Sequence, residues 1–179
     1  VQTCALPIFG AFYSQDEFES ENIFEAGDFF VTNLFWNVDQ ETTTWAFFGS
    51  VDIPLSERMT LTAGLRYTDE EIDFAGGTTD LNPYDASCIL DPFCGPTGLG
   101  AFQLTGTDST FSDDNLSGRV ALELRPKDDW LLYGSVSTAF KSGGFFGDFT
   151  FDNSELVPFD SETITAYEIG SKSTLASGR

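Results

Sequence analysis

A chain of 179 residues with 41% hydrophobic residues, 19 Phe and 17 Gly, yet no His and one Met, has length enough for one ordinary domain. Its formal net charge of -21 excludes a nucleic-acid partner, because a phosphate backbone calls for a basic face. A mean hydropathy of -0.10 suits strands with one greasy and one wet face, and no run approaches the roughly 18 to 20 apolar residues of a membrane helix.

In chain order, Val1–Ile8 ("VQTCALPI") comes first. It reads as an in-frame translation of a sequencing adapter, the alternative being a genuine strand end. Taken as foreign, it leaves 9–179 as natural sequence and removes Cys4 from the cysteine count. No signal peptide precedes it, as expected of a chain cut from the middle of a gene.

"FGAFYSQ" (Phe9–Gln15) reads as a strand, followed by a long connection over Asp16–Glu41. "TTTWAFFGSVDI" (Thr42–Ile53) alternates, "PLSER" (Pro54–Arg58) turns, and "MTLTAGLRYTDEEIDF" (Met59–Phe74) alternates again. A hairpin centred near Ser56 sets Ile53 against Met59, Val51 against Leu61, Gly49 against Ala63, Phe47 against Leu65 and Trp45 against Tyr67. That face is apolar, aromatic or small. The other, with Asp52, Thr60, Ser50, Thr62 and Arg66, is mostly polar, so the register is well specified.

A second long connection covers Ala75–Asp114 and holds "CILDPFC". Cys88 and Cys94 lack a His or a second Cys pair, which argues against zinc; an oxidising compartment would allow a loop disulfide, the alternative being two free thiols.

The pattern repeats over Asn115–Lys141. A turn near Lys127 pairs Leu124 with Trp130, Leu122 with Leu132, and Val120 with Gly134; Gly118 then meets Val136. Arg119 and Glu123 lie opposite, joined by Leu131 and Tyr133, so the separation is weaker here. After a third long connection, Ser142–Ser161, "ETITAYEIGSK" (Glu162–Lys172) is a further strand, with Glu168 on one face, and "STLASGR" opens a short turn.

Long connections therefore alternate strictly with tight turns. Structureless loops beyond about 12 to 15 residues are unusual in soluble domains, whereas this layout is expected of an outer-membrane barrel. Charge is sorted likewise. All eight Lys and Arg lie in strands or at short turns, while the long connections carry acids such as Glu21, Glu25, Asp28, Asp80, Asp85, Asp91, Asp148, Asp152 and Glu155 and no base. Trp45 and Tyr67 at one level and Trp130 at the other are placed as two aromatic girdles, or as ordinary cross-strand pairs.

The expected fold is an all-β, antiparallel, up-and-down transmembrane barrel, incomplete at about six strands. Trp45, Phe47, Val51, Leu61, Leu65, Tyr67, Leu122, Trp130, Leu132 and Val136 are expected to face lipid. Arg66, Arg119, Glu123, Glu168 and Lys172 are candidates to face the lumen, as plug contacts, a solute path, or a ladder of satisfied wall charges.

No catalytic constellation stands out. Without His there is no Ser-His or Cys-His nucleophile, and the paired acids Glu70–Glu71, Asp113–Asp114 and Asp128–Asp129 lack the spacing of a calcium loop. Gly143–Gly144 has no Lys-Ser/Thr after it and reads as a bend rather than a phosphate loop. An enzyme, a metal and a cofactor are not expected.

Three stretches resemble the TonB-dependent receptor family: "WAFFGSVDIPLSERMTLTAGLRYTDEE" (Trp45–Glu71), "LLYGSVSTAFKSGGF" (Leu131–Phe145) and "ETITAYEIGSK" (Glu162–Lys172). The matches cover most of 42–74 and 114–172, in the family's order. The resemblance implies TonB-energised uptake of a scarce nutrient, of the siderophore, vitamin or oligosaccharide class, at the Gram-negative outer membrane. It implies as partners outer-membrane lipid and lipopolysaccharide, a plug domain of the full-length protein, and the TonB complex acting through the plug. A porin or surface-binding barrel is one alternative. Another is a secreted β-sandwich, in which Trp45, Phe47, Val51, Leu61 and Leu65 would form a dry core.

Overall fold

The computed structural model describes residues 5–25, 33–81 and 101–174. They form β1 (Leu6–Glu25), β2 (Asn33–Ser56), β3 (Met59–Asp80), the two-residue β4 (Phe102–Gln103), β5 (Thr107–Lys127), β6 (Trp130–Lys141) and β7 (Glu162–Ser173), with a 3-10 turn at Asn153–Leu156. The sheet runs β1-β2-β3-β5-β6-β7, each neighbour antiparallel, and β4 pairs with β3. This is an incomplete up-and-down barrel; among the described residues β1 and β7 do not meet, and no helix is long and apolar enough to cross a membrane.

The faces follow the sequence reading, but both hairpin registers sit two residues away from expectation. Ile53 pairs with Leu61, Val51 with Ala63, Gly49 with Leu65 and Phe47 with Tyr67. Leu124 pairs with Leu132, Leu122 with Gly134 and Val120 with Val136. In each case the turn is tighter than assumed, and the pairing shifts between Pro54 and Ser56 and between Leu124 and Lys127. Such bulges absorb an extra residue, and Pro54, lacking an N–H, suits one. Because the shift is even, no side chain changes face. Trp45 does lose Tyr67 as its partner: it lies opposite Asp69 and its ring meets Tyr13 at 4.4 Å.

The long connections shrink more drastically. β1 continues to Glu25 and β2 starts at Asn33, so most of 16–41 is strand; β3 runs on to Asp80 and β5 starts at Thr107. At about 3.3 Å per residue, the 24 residues of β2 extend roughly 80 Å, whereas a tilted strand crosses a bilayer in about 9–11 residues. β1, β2, β3 and β5 therefore outrun a membrane by a wide margin, while β6 and β7, at 12 residues each, about match it.

Along that extra length the apolar phase switches sides. β2 is apolar at Trp45, Phe47, Val51 and Ile53, then on the opposite face at Leu34, Trp36 and Val38. β3 switches from Leu61, Leu65 and Tyr67 to Ile72 and Phe74. Beyond the switch the first face turns acidic, with Glu17 opposite Glu41, Glu19 opposite Asp39, and Asp69 opposite Asp114. Like charges placed directly across a ladder repel, and only water and ions make the arrangement tolerable. The buried cluster is Trp36, Val38, Ile72, Phe74, Phe145 and Leu156, so the second face is dry at this end.

Candidate functional site

What covers that dry patch is the 142–161 connection, folded back as a strap onto β2 and β3. Phe145 stacks on Phe74, centroids 4.6 Å apart and planes 11° from parallel, and Phe149 packs 6.0 Å from Trp36 and 6.1 Å from Phe24. Gly144 and Phe159 close the base of the strap by exchanging backbone hydrogen bonds of 3.1 and 2.8 Å. Gly143 is required beside them: a Cβ there would lie 2.2 Å from the Phe159 carbonyl oxygen and 2.7 Å from Phe111 Cζ, both inside contact distance.

A second anchor is polar. Thr78, Thr105 and Thr150 are at most 1% exposed, and each finds partners within the trio. The Thr105 and Thr150 hydroxyls lie 2.6 Å apart, the Thr150 N–H donates to Thr78 Oγ1 at 2.9 Å, and the Thr78 N–H donates to Thr105 Oγ1 at 3.0 Å. Buried polar groups cost little only when paired in this way. The 3-10 turn completes the strap. Ser154 N–H donates to Asp152 Oδ1 at 2.8 Å and Asp152 N–H to Glu155 Oε2 at 3.3 Å, a reciprocal capping box. The Ser154 hydrogen bonds hold the Asp152 carboxyl below its ordinary range.

With Phe145, Thr150 and Leu156 turned to the wall, the strap leaves Phe146, Phe151, Val157 and Phe159 exposed at 50–67%. That is a large aromatic surface without a base, held on a rigid support. The strap is the candidate ligand-contact surface.

The expected site residues fall on two faces. Trp45, Phe47, Leu65, Tyr67, Leu122, Trp130 and Val136 are exposed, and Val51, Leu61 and Leu132 half-exposed, all on one face. They make no dry core, and among the described residues no second sheet covers them, which removes the sandwich reading. Ala46, Thr44, Thr68, Ala121 and Ser135 on the other face are at most 9% exposed. Arg66, Arg119, Glu123, Glu168 and Lys172 share that second face.

The structure brings some of these together. Glu123 meets Arg125 at 3.3 Å, both side chains well exposed, so the pair contributes little. Tyr133 Oη donates to Glu168 at 2.9 Å, and Lys172 Nζ lies 5.6 Å from the same ring. Tyr133, which blurred the sequence pattern, is thus the piece that organises Glu168 and Lys172. Its ring also lies where a Gly170 Cβ would stand, 2.4 Å away, which accounts for the glycine in "YEIGSK". Arg66 stands apart from this group, over Phe12 and Phe48. Glu70 and Asp113 face each other on the same side of the sheet as Arg66, Glu70 accepting from Thr44 Oγ1 at 3.1 Å. Among the described residues no group of three or more His, Cys, Asp or Glu is set to hold a metal; Cys88 and Cys94 lie outside the described residues.

Two solved structures share this fold. The ferric yersiniabactin uptake receptor FyuA of Yersinia pestis superimposes with a TM-score of 0.58 at 16% identity, over 96% of this chain and 28% of that one. The ferric-catecholate import receptor Fiu of Escherichia coli K12, in its closed form, gives 0.57 at 10% identity, over 98% of this chain and 30% of that one. The chain thus spans less than a third of the length of either receptor. No curated protein matches it. The family profile described as "TonB dependent receptor-like, beta-barrel" matches residues 5–179, nearly the whole chain. The run of alternating antiparallel strands and that match agree: the chain belongs to the TonB-dependent receptor β-barrel family, an outer-membrane family of receptors and not of enzymes.

Proposed function

We propose that this chain is part of the barrel wall of a receptor that takes up a scarce nutrient across the outer membrane with energy from the TonB complex. The nutrient is of the siderophore, vitamin or oligosaccharide class. The apolar face from Trp45 to Val51, Leu61 to Tyr67, Leu122, Trp130, Leu132 and Val136 meets lipid, and the acidic zone above it lies among lipopolysaccharide and water. Arg66, Arg119, Glu123, Glu168 and Lys172 line the lumen toward a plug domain of the full-length protein, which in turn engages TonB. Val1–Ile8 is foreign sequence.

The observation that carries this reading is the switch of apolar phase along β2 and β3. Apolar residues outside and polar ones inside suit a wall in lipid; acids outside and aromatics inside, under a folded strap, suit a vestibule standing in water. The exposed Phe146, Phe151, Val157 and Phe159 then offer ring-stacking surface to a ligand entering from outside. With both sheet edges unpaired among the described residues, this stretch made alone neither inserts nor transports.

The test is to recover the intact gene from its source and express the whole receptor. The reading expects a plug-like domain upstream, more alternating strands, and nutrient uptake that stops when TonB is deleted or the proton gradient collapsed. Uptake indifferent to both, or a reading frame confined to this stretch, would end it.

A further inference from the structure

We propose that Arg66 is an anion-docking point on the second face of the sheet, shaped to receive a carboxylate. Among the described cations, Arg58, Arg119, Arg125, Lys127, Lys141 and Lys172 are exposed, and Arg66 alone is half-buried. Its guanidinium carbon lies 5.6 Å from the centre of the Phe12 ring and 5.7 Å from that of Phe48, and its Nε donates to Thr68 Oγ1 at 3.0 Å. Phe48 is itself fixed, its ring resting where a Gly10 Cβ would stand. The side chain is therefore held beside two rings and at Nε, which leaves the four outer N–H groups for another partner.

Those four donors form no hydrogen bond to a described residue, and the one ion pair among the described residues is Glu123–Arg125. In a chain of net charge -21, a half-buried cation without a carboxylate is unexpected. On the same face Glu70 accepts from Thr44 and Asp52 accepts from Thr62 Oγ1 at 2.6 Å, while Asp113 keeps one buried oxygen without a hydrogen bond and forms no ion pair with Arg66. A planar fork with four N–H donors uncommitted matches one chemistry best, the bidentate carboxylate. Two sources can supply it: an acidic side chain from another domain of the same receptor, or a carboxylate-bearing solute crossing the lumen. The inference rests on the proposed reading that this face lines the lumen.

Zero-length carbodiimide coupling on the full-length receptor carrying Arg66→Lys tests it, since an amine in contact with a carboxylate forms an amide with loss of water. A coupled peptide joining position 66 to an Asp or Glu of another domain, at several-fold the yield found at Lys127 and Lys141, supports docking of protein. Without that product, preferential coupling of added succinate at position 66 supports docking of solute. Coupling no greater than at Lys127 and Lys141 in either arm overturns the proposal. Adding Phe12→Leu and Phe48→Leu should bring coupling down to the level of those lysines, and undiminished coupling also overturns it. A photoactivatable probe dissolved in the lipid should label Leu65 and Tyr67 and spare Ser117. If that labelling fails, the barrel reading is at fault; if it holds while coupling fails, only the docking point is.

Discussion

Replacing Phe145 by alanine removes the ring that stacks on Phe74 and leaves a hole beside Trp36, Val38 and Leu156. Phe145 is 9% exposed, so the substitution approaches a core Phe→Ala change, which costs about 3–5 kcal/mol including the cavity. The strap is anchored independently at the threonine trio, so we take the lower end, about 3 kcal/mol, as the loss in local opening free energy. Each ~1.4 kcal/mol is a factor of ten, so the opened fraction should rise by roughly a hundredfold. Chymotrypsin reads this directly, because Phe146, Phe151 and Phe159 offer cleavage sites within the strap. On the full-length receptor in outer membranes, cleavage between 142 and 161 should accelerate by about two orders of magnitude, provided reclosing outpaces cleavage. Phe146→Ala, at a ring left 51% exposed, should leave the cleavage rate nearly unchanged. Equal cleavage in wild type and Phe145→Ala would refute the claim that this stack holds the strap to the wall.

Further outcomes follow from the same geometry. Thr150→Val keeps the shape but leaves the Thr105 hydroxyl without its 2.6 Å partner, and should cost about 1–3 kcal/mol, read as faster hydrogen exchange at Thr78 and Thr150. The Asp152 carboxyl is held below the ordinary carboxylate range by the Ser154 hydrogen bonds, so its contribution is full above that range and is lost as pH falls through the depressed folded value. Amide protection over 151–156 should accordingly stay level from neutral pH down through mild acid and drop only below that range, while Asp152→Ala should show the low-pH behaviour throughout. Leu65→Arg places a charge in the apolar band and should destabilise the folded receptor by about 2–4 kcal/mol in refolding titrations, whereas Ser117→Arg on the opposite face should cost far less.

Much of the wall was legible because period-two alternation between Trp45 and Tyr67 admits only one sorting of faces. The hairpin registers were not, since a bulge at Pro54 or before Lys127 adds a residue without altering the pattern of faces. The vestibule was missed for a different reason. In "LFWNVDQETTTW" the apolar residues change phase between Val38 and Trp45, and a reader expecting one phase sees a break and calls it a loop. The signal was present in Leu34, Trp36 and Val38, but it becomes intelligible only with the strap that covers those side chains. Tyr133 stands on the wet face as its sequence position implies, where it weakens the amphipathic pattern; its reason for being there is legible only once its hydroxyl is seen on Glu168 and its ring on Gly170. Phe12 and Phe48 carried no sequence signal for Arg66, because they reach it from other strands.

The central claim is that β3 passes from a lipid-facing wall into a water-standing vestibule, with its apolar phase changing on the way. Single spin labels placed in turn from Leu61 to Thr78 of the full-length receptor in liposomes test this most directly. Collision with oxygen should peak at 61, 63, 65 and 67 and vanish beyond Asp69, where positions 69, 71 and 73 should instead meet a water-soluble relaxant while 72 and 74 meet neither. An oxygen-accessible phase that runs unbroken to Thr78, or none at all below Asp69, would contradict the account.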